Sequence, residues 1–563
     1  MLLPPSVNRG GEAGMKYDVE TILRQQAQME SGRSLFDAQW LEVAERVLPR
    51  QADFLGAGAV AGGKRGARIF DEHAMLALGH HSATYEGFLI PRGSFWMALT
   101  AADEALMKNR RVAEWYDDKT RQLFRLRYAP KAGFQSQIHE SFDSLGAFGN
   151  QALWIDGLKG LNHTPTGLFY RSIHIGEIWV RTNFQGRVDR TNRKFTLEAR
   201  QAVQMWGDKA PECALKAMKD GKEGEQHEYI HALFPRADAD PERIDGRGLP
   251  VGSMYIAVNG KQLIEEGGYR SMPLVYSRYE TSPREDYGRG PGMKVLPAVK
   301  ACQAMMQSLV RGVQLGLEKP MGAPHEDVVG TVEFKPRGIT YGAIGEDGRK
   351  LVQAIYEEGD IASARDLLND VHSRIDEAFL KHLMPVGEEL KSHVSASAFM
   401  QRAGERGIIL SPVMSRQETE LLDPMTEREL DIMADMGLLD DMPPEVKEAG
   451  GAFAIRYDNP LSRMQRAEQA AGFFRTFEAA VPALNIKPEI VDNFNFDVAI
   501  PELAEINAVP VRWMADPKKL QAARAVRKQE QETAQALAAA PDISGAVKNI
   551  AQAEALSGGG ARV

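Results

Sequence analysis

Apolar positions change their spacing along the chain, and each change marks a different kind of element. Between residues 17 and 130 they return at helical intervals, as in YDVETILRQQAQMESGRSLFDAQWLEVAERVLP and RIFDEHAMLALGHHSATYEGFL. The Gly/Ala-rich stretch between them, LGAGAVAGGKRGA, offers no side chains that could pack a core. From about 151 to 280 apolar and polar residues alternate in short runs, among them ALWIDG, EIWVRTNFQGRVDR, HEYIHALF and SMYIAVNGKQLIEEGGY. A period of two with turn residues between the runs predicts a largely antiparallel sheet of hairpins.

Two long helices come next. Val295, Val299, Cys302, Met306, Leu309 and Val313 recur at alternating spacings of four and three, as do Ile361, Ala364, Leu368, Val371, Ile375 and Ala378. Such narrow stripes suit helices packed along one seam. Each pattern predicts about 24 residues of helix, roughly 36 Å. The insertion between them, HEDVVGTVEFKPRGITYGAIGEDGRKLVQAI, has strand-like runs and many glycines. A helix pair carrying a small β-rich tip is therefore the most distinctive expectation. The loop PVGEELKSHVS and further helix follow, and 460–540 reads as helical. Its last helix starts with Asp516 as N-cap and Pro517 at the first helical position. The end, SGGGARV, reads as a tail. No repeat of 20–50 residues is visible. The fold class is α+β, predominantly helical.

Composition narrows the function. At 563 residues the chain needs several subdomains, and 43% hydrophobic with 26% charged residues is ordinary for a folded soluble protein. A formal charge of −9 gives no support to a general nucleic-acid binder. Two cysteines, Cys213 and Cys302, argue against a disulfide scaffold or a cysteine-based metal site and fit a reducing cytoplasm. No apolar run approaches the roughly 20 residues that span a bilayer, and the N-terminal MLLPPSVNRGGEAGMKYD has no signal-peptide core.

Four stretches invite chemistry. His227-Glu228-Tyr229-Ile230-His231 spells H-E-x-x-H, which binds zinc on a helix and would make the chain a zinc-dependent peptidase. The surrounding alternation, Gly221, Gly224 and Pro235 instead predict a strand, where the two histidines would stand about 13 Å apart. GAVAGGKR (58–65) approaches a P-loop, but Arg65 follows the lysine where a Ser/Thr is needed, so a loop is expected. His73, His80 and His81 in EHAMLALGHH are expected to serve surface or packing roles. Residues 415–449 carry 11 acidic and 3 basic side chains, either a solvated face or a negative wall that keeps a polyanion from sticking. No catalytic residue, cofactor or metal site is assigned.

Several stretches together resemble one family, the head-to-tail connector (portal) proteins of short-tailed bacteriophages. RIFDEHAMLALGHHSATYEGFLIPRGSFWMAL (68–99) is similar to its R-x-x-x-[IL]-F-D-x-x-A … L-x-P-x-G-x-x-W-[FM]-x-L signature. FDSLGAFGNQALWID (142–156) resembles its F-G-N run, and YGRGPGMKVLPAVKACQAM (287–305) its Y-G-R-G-P … L-P-x-[IV]-K motif. SASAFMQRAGERGIILSP (395–412) and YDNPLSRMQRAEQ (457–469) resemble later motifs, with Phe399 standing where the family often has an acidic residue. HEYIHALFPR has a counterpart strand without a metal role.

The resemblance implies a ring subunit, twelve to a ring, at one capsid vertex of the virion, assembled in the host bacterial cytoplasm. It implies a wing over 1–292, stem helices at 293–318 and 359–384, a clip at 319–358, and a channel loop with further wing helices over 385–455. A helical crown over 456–540 and a tail at 541–563 complete it. It places Glu388, Glu389, Lys391 and His393 near passing DNA, and Lys335 and Arg337 at the clip tip facing the terminase motor. The implied partners are other copies of the chain, terminase, tail adaptors, major capsid and scaffolding proteins, and double-stranded DNA held without sequence specificity. No membrane is implied. Another virion ring, such as a tail adaptor, is the neighbouring alternative. A passive conduit fits the mild acidity, because a dense basic lining would hold the DNA it must release.

Overall fold

The computed structural model describes residues 17–52, 54, 63, 65–66, 69–92, 94–159, 165–236, 239–240, 243, 245–322, 343–344, 346–354, 361–381, 412–458, 472–482, 494–506, 513–515 and 519–534. The first helix, α1 (Val19–Val47), is capped by Asp18, whose carboxylate accepts from the Thr21 amide at 2.8 Å and satisfies an orphan donor of the first turn. Next come α2 (His73–Leu89), β1 (Met97–Ala101), α3 (Glu104–Met107), α4 (Arg110–Arg127) and α5 (Phe134–Phe148). Among the described residues the helical reading of 17–130 holds for the most part, with β1 as a strand inside it, and helix runs on to Phe148.

The strand region departs from a single sheet. β2 (Asn150–Lys159), β3 (Pro165–Ser172), β4 (Ile178–Thr182) and β5 (Val188–Glu198) precede two helices, α6 (Ala199–Trp206) and α7 (Glu212–Lys219). β6 (Gln226–Pro235), β7 (Val251–Ala257), β8 (Gln262–Tyr269) and β9 (Leu274–Arg278) follow. Five strands, β4 to β8, form one sheet in chain order, whereas β9 returns to β2 to make the three-stranded order β3-β2-β9. All these pairings are antiparallel. The α6–α7 pair lays Ala202, Trp206, Ala214 and Ala217 against Tyr229 and Ala257 of the larger sheet. Eight-residue helices make barely two turns, too few to register a 3.6-residue period among alternating strands.

The H-E-x-x-H letters lie in the middle of that sheet. β6 pairs residue by residue with β5 and β7, so that His231 stands opposite both Arg193 and Tyr255. Its ring stacks on Tyr255 (3.9 Å between centroids, 8° between planes), and Nε2 lies 2.8 Å from Ser253 Oγ. Burial, with Arg193 adding to it, pushes the His231 pKa down to about 3. A strand cannot present the helical face that the zinc motif requires, and the peptidase reading loses its geometry.

Beyond the sheets the chain forms α8 (Pro291–Lys294), α9 (Leu296–Leu317), the two-residue strands β10 (Met321–Gly322) and β11 (Gln353–Ala354), and α10 (Ile361–Ala378). α9 spans 22 residues and begins one residue after Val295, the first position of its stripe. Pro297 has no N–H for the Met293 carbonyl, so α8 cannot run into α9 and the chain breaks at Val295. A π-helical turn, Glu418–Leu422, leads into α11 (Asp423–Asp435), followed by α12 (Pro444–Glu448), β12 (Phe453–Tyr457), which pairs with β1, and α13 (Phe496–Ile506).

The described residues divide into two compact units, one drawn from 17–98, 119–441 and 455–458, the other from 99–118, 442–454 and 472–534. The main core of the first gathers Trp40, Val43, Phe54, Phe148, Ile178, Val299, Leu368 and Ile375. In the second, Phe473, Phe477, Phe494 and Phe496 cluster with centroids 5.6–6.5 Å apart, and Arg524 pairs with Asp497 at 2.7 Å.

Part of the acidic run is taken up by contacts inside the first unit. Glu429 meets Arg127 with both side chains fully buried, Glu420 receives two nitrogens of Arg278, and Asp435 pairs with Arg270. Asp431 accepts from Ser271, and Asp441 pairs with Lys119. Glu429, Glu420 and Asp441 thus answer buried cations, and these three are paired charges rather than part of a free negative wall.

Candidate functional site: the root of the helix pair

Two motifs meet where the chain enters the helix pair. Phe148-Gly149-Asn150 ends α5 and starts β2, and Tyr287-Gly288-Arg289-Gly290-Pro291 leads into α8. Gly149 adopts φ = 73°, and a Cβ there would lie 2.2 Å from the Gly290 nitrogen and 2.4 Å from the Arg289 carbonyl carbon. Only a glycine admits that backbone approach. Asn150 then ties the motifs together. Its Nδ2 donates to the carbonyls of Phe148 and Gly288, both at 2.9 Å, while Oδ1 accepts from the Gly288 amide at 2.7 Å and the Tyr276 hydroxyl at 2.9 Å. All four contacts are buried, so each replaces water that the side chain has lost.

A second anchor grips the helices themselves. Gln303 on α9 accepts through Oε1 from the amides of Phe70 (2.7 Å) and Asp71 (3.0 Å), and its Nε2 donates to the Asp71 carbonyl at 2.6 Å. Held in this way, the Asp71 carboxylate accepts from the His73 amide at 2.8 Å and lies 2.9 Å from His372 Nε2 on α10. Burial first, then the neighbouring Asp71 carboxylate, pushes the buried Cys302 thiol up to about 12. The His73 and His372 rings stack at 4.0 Å and 9°, and His73 Nε2 reaches Asp376 Oδ1 at 2.8 Å. Lys381 closes the row on both Asp376 oxygens. About two turns further along α2, His81 approaches the Phe379 carbonyl at 3.2 Å, and burial lowers its pKa to about 4. His73 and His81 thus pack, as expected, whereas His80 is exposed.

Away from this root the helices lose their cover. Val299 and Ile375 are fully buried, yet Val310 is 44% exposed, Leu317 82% and Leu367 55%. Just past the helix ends, Met321 and Gly322 pair antiparallel with Ala354 and Gln353, closing the insertion at its base.

Residues 19–514 match the family of bacteriophage head to tail connecting proteins. The chain belongs to that family. It is also similar to the portal protein of Salmonella phage epsilon15, 24% identical over 544 residues that cover 95% of this chain and 96% of the relative. The probable portal protein of Bordetella phage BPP-1 is 24% identical over 518 residues, covering 91% and 92%.

As a head-to-tail connecting protein, the chain gives its signature stretches physical jobs. The F-D pair presents Asp71 to both helices, the F-G-N run interlocks with Y-G-R-G-P, and Trp96 lies under the Arg127 guanidinium (4.6 Å to the ring centroid). The site residues named for DNA and terminase, Glu388, Glu389, Lys391, His393, Lys335 and Arg337, lie outside the described residues, as do Phe399, Asp516, Pro517 and most of 58–65. Gln303, His372 and Asp376 were not singled out from sequence. The available signal was that His372 and Asp376 are polar residues four apart on the helix, beside the apolar stripe.

Proposed function

We propose that this chain is the subunit of a phage portal, a ring at one capsid vertex that admits DNA during packaging and releases it at ejection. The observation that carries the proposal is the match to two portal relatives over nine-tenths or more of every chain compared. In this reading the body built on α1, α2, α5 and the sheets belongs to the wing, and α9 and α10 are the stem helices. The closed insertion is the clip, where Lys335 and Arg337 face the packaging motor and later the tail adaptor. Residues 385–394 form the channel loop, with Glu388, Glu389, Lys391 and His393 beside the DNA, and 456–540 form the crown. Major capsid and scaffolding proteins surround the ring.

The anchored root and uncovered outer half of the helix pair support this assignment. An isolated subunit leaves Val310, Val313, Leu317 and Leu367 in water. Neighbouring copies around a closed ring, of twelve subunits in the proposed assembly, supply the apolar partners those positions lack. DNA passing through meets a protein whose formal charge is −9, which suits sliding over gripping. The test is genetic. Shells assembled with the chain cut short before Ile361 are expected to remain empty and tailless, and DNA-filled, tailed particles would overturn the proposal.

A further inference from the structure

We propose that Asp71, Cys302 and His372 form a site for one divalent metal ion of zinc-like preference, which fastens both long helices to the loop before α2. The three ligand atoms lie within 4.8 Å of one another, although the residues come from three separate segments. A thiolate, an imidazole nitrogen and a carboxylate oxygen together favour zinc or cobalt over the oxygen-seeking magnesium and calcium.

The hydrogen bonds show where the ion would sit. The Cys302 sulfur and His372 Nε2 both converge on the Asp71 carboxylate, with Nε2 2.9 Å from Oδ2. An ion at the meeting point takes the place of the protons these groups would otherwise share. The thiol loses its proton to solvent, and the imidazole moves its remaining ring proton to Nδ1. The dicationic ion then faces two anionic ligands and one neutral ligand, so its charge is balanced inside a buried site.

Supporting groups are already in place. Gln303 fixes the Asp71 backbone through three hydrogen bonds, and the His73 amide holds the carboxylate. The stacked His73 ring, itself tied to Asp376, sets the plane of His372. Outer partners of this kind orient metal ligands and tune affinity. A cleft of about 430 Å³, lined by Asp71, Glu72, Met306 and His372 among others, leads to the site, providing an entry path and a fourth position for water. The inference rests on these residues alone and stands whether or not the chain forms a portal.

Co²⁺ is the probe, titrated into the purified full-length protein stripped with a chelator. The expected result is about one Co²⁺ per chain, a thiolate-to-cobalt charge-transfer band, and loss of the band when Zn²⁺ is added. Cys302→Ser should abolish the band and His372→Ala should weaken binding at least tenfold, while Cys213→Ser should leave both unchanged. The wild-type titration decides the matter even if a ligand variant misfolds. No charge-transfer band in wild type, or a band that survives in Cys302→Ser and disappears in Cys213→Ser, would overturn the proposal.

Discussion

Glu429→Gln removes one charge from the most deeply buried ion pair of the first unit and keeps the shape. Arg127 and Glu429 are both fully buried; Arg127 Nε bonds Oε1 at 3.0 Å, Nη2 meets Oε2, and the Tyr170 hydroxyl donates to the same carboxylate. Burial alone would lower the guanidinium pKa, but the charge and hydrogen bonds of Glu429 outweigh it and hold the pKa above its usual value. In the variant that guanidinium stays charged without a counter-charge, keeping one amide oxygen as acceptor and the faces of Trp96 (4.6 Å), Phe124 (5.0 Å) and Phe134 (5.8 Å). Breaking one side of a buried pair costs about 3–5 kcal/mol. At about 2.1 cal/mol/K per residue and roughly 400 residues in the unit, that lowers the melting temperature by about 4–6 °C. The double variant Arg127→Met, Glu429→Gln leaves no buried charge and still offers Tyr170 an acceptor, so it should cost about 1–2 kcal/mol, less than either single change. Scanning calorimetry or fluorescence-detected melting at one fixed scan rate reads all three. Equal losses that simply add in the double variant would refute this account of the pair.

Three further outcomes follow from particular residues. Gly149→Ala should cost at least about 3 kcal/mol, since its Cβ meets backbone that cannot move aside. Gly133→Ala has a similar φ of 72° but no atom closer than 3.8 Å to the added Cβ, so it should cost only about 1 kcal/mol, and similar losses for the two would discredit the interlock. His81 and His231 have folded pKa values depressed to about 4 and about 3, so the folded state binds fewer protons than the unfolded state below about pH 6.5. Their contribution is present above pH 6.5 and lost as pH falls, by about 4 kcal/mol for the two together between pH 7 and 5. His139, whose pKa is raised by Glu86, changes stability in the opposite direction, so the test is the slope of melting temperature against pH in His231→Gln, which should fall by about half. Replacing Lys391 and His393 together with glutamines should impair DNA packaging or retention while rings still assemble; normally filled particles would remove these residues from the channel.

How much of this was legible in the sequence depended on how local the signal was. β6 could be read because alternation, Gly224 and Pro235 sit within a dozen residues, enough to defeat the zinc spelling. The helix pair could be read from its stripes, but its start could not, because Pro297 falls within an unbroken apolar pattern and only backbone hydrogen bonding shows the break. The split into two sheets was hidden because β2 and β9 pair across more than a hundred residues of chain, and no local pattern encodes that partnership. The root cluster was hidden for the same reason. Asp71 and His73 were visible as a motif, but their partners Gln303, His372 and Asp376 lie more than two hundred residues away. The acidic run misled because composition counts charges without the buried arginines that answer them, Arg127 and Arg278.

The most direct test of the portal account is to image the purified full-length protein by electron microscopy, in views down the symmetry axis of its assemblies. The account predicts closed rings, twelvefold in the proposed assembly, around an open channel wide enough for duplex DNA. Particles that remain single subunits at every concentration, or rings whose centre is too narrow for a duplex, would contradict it.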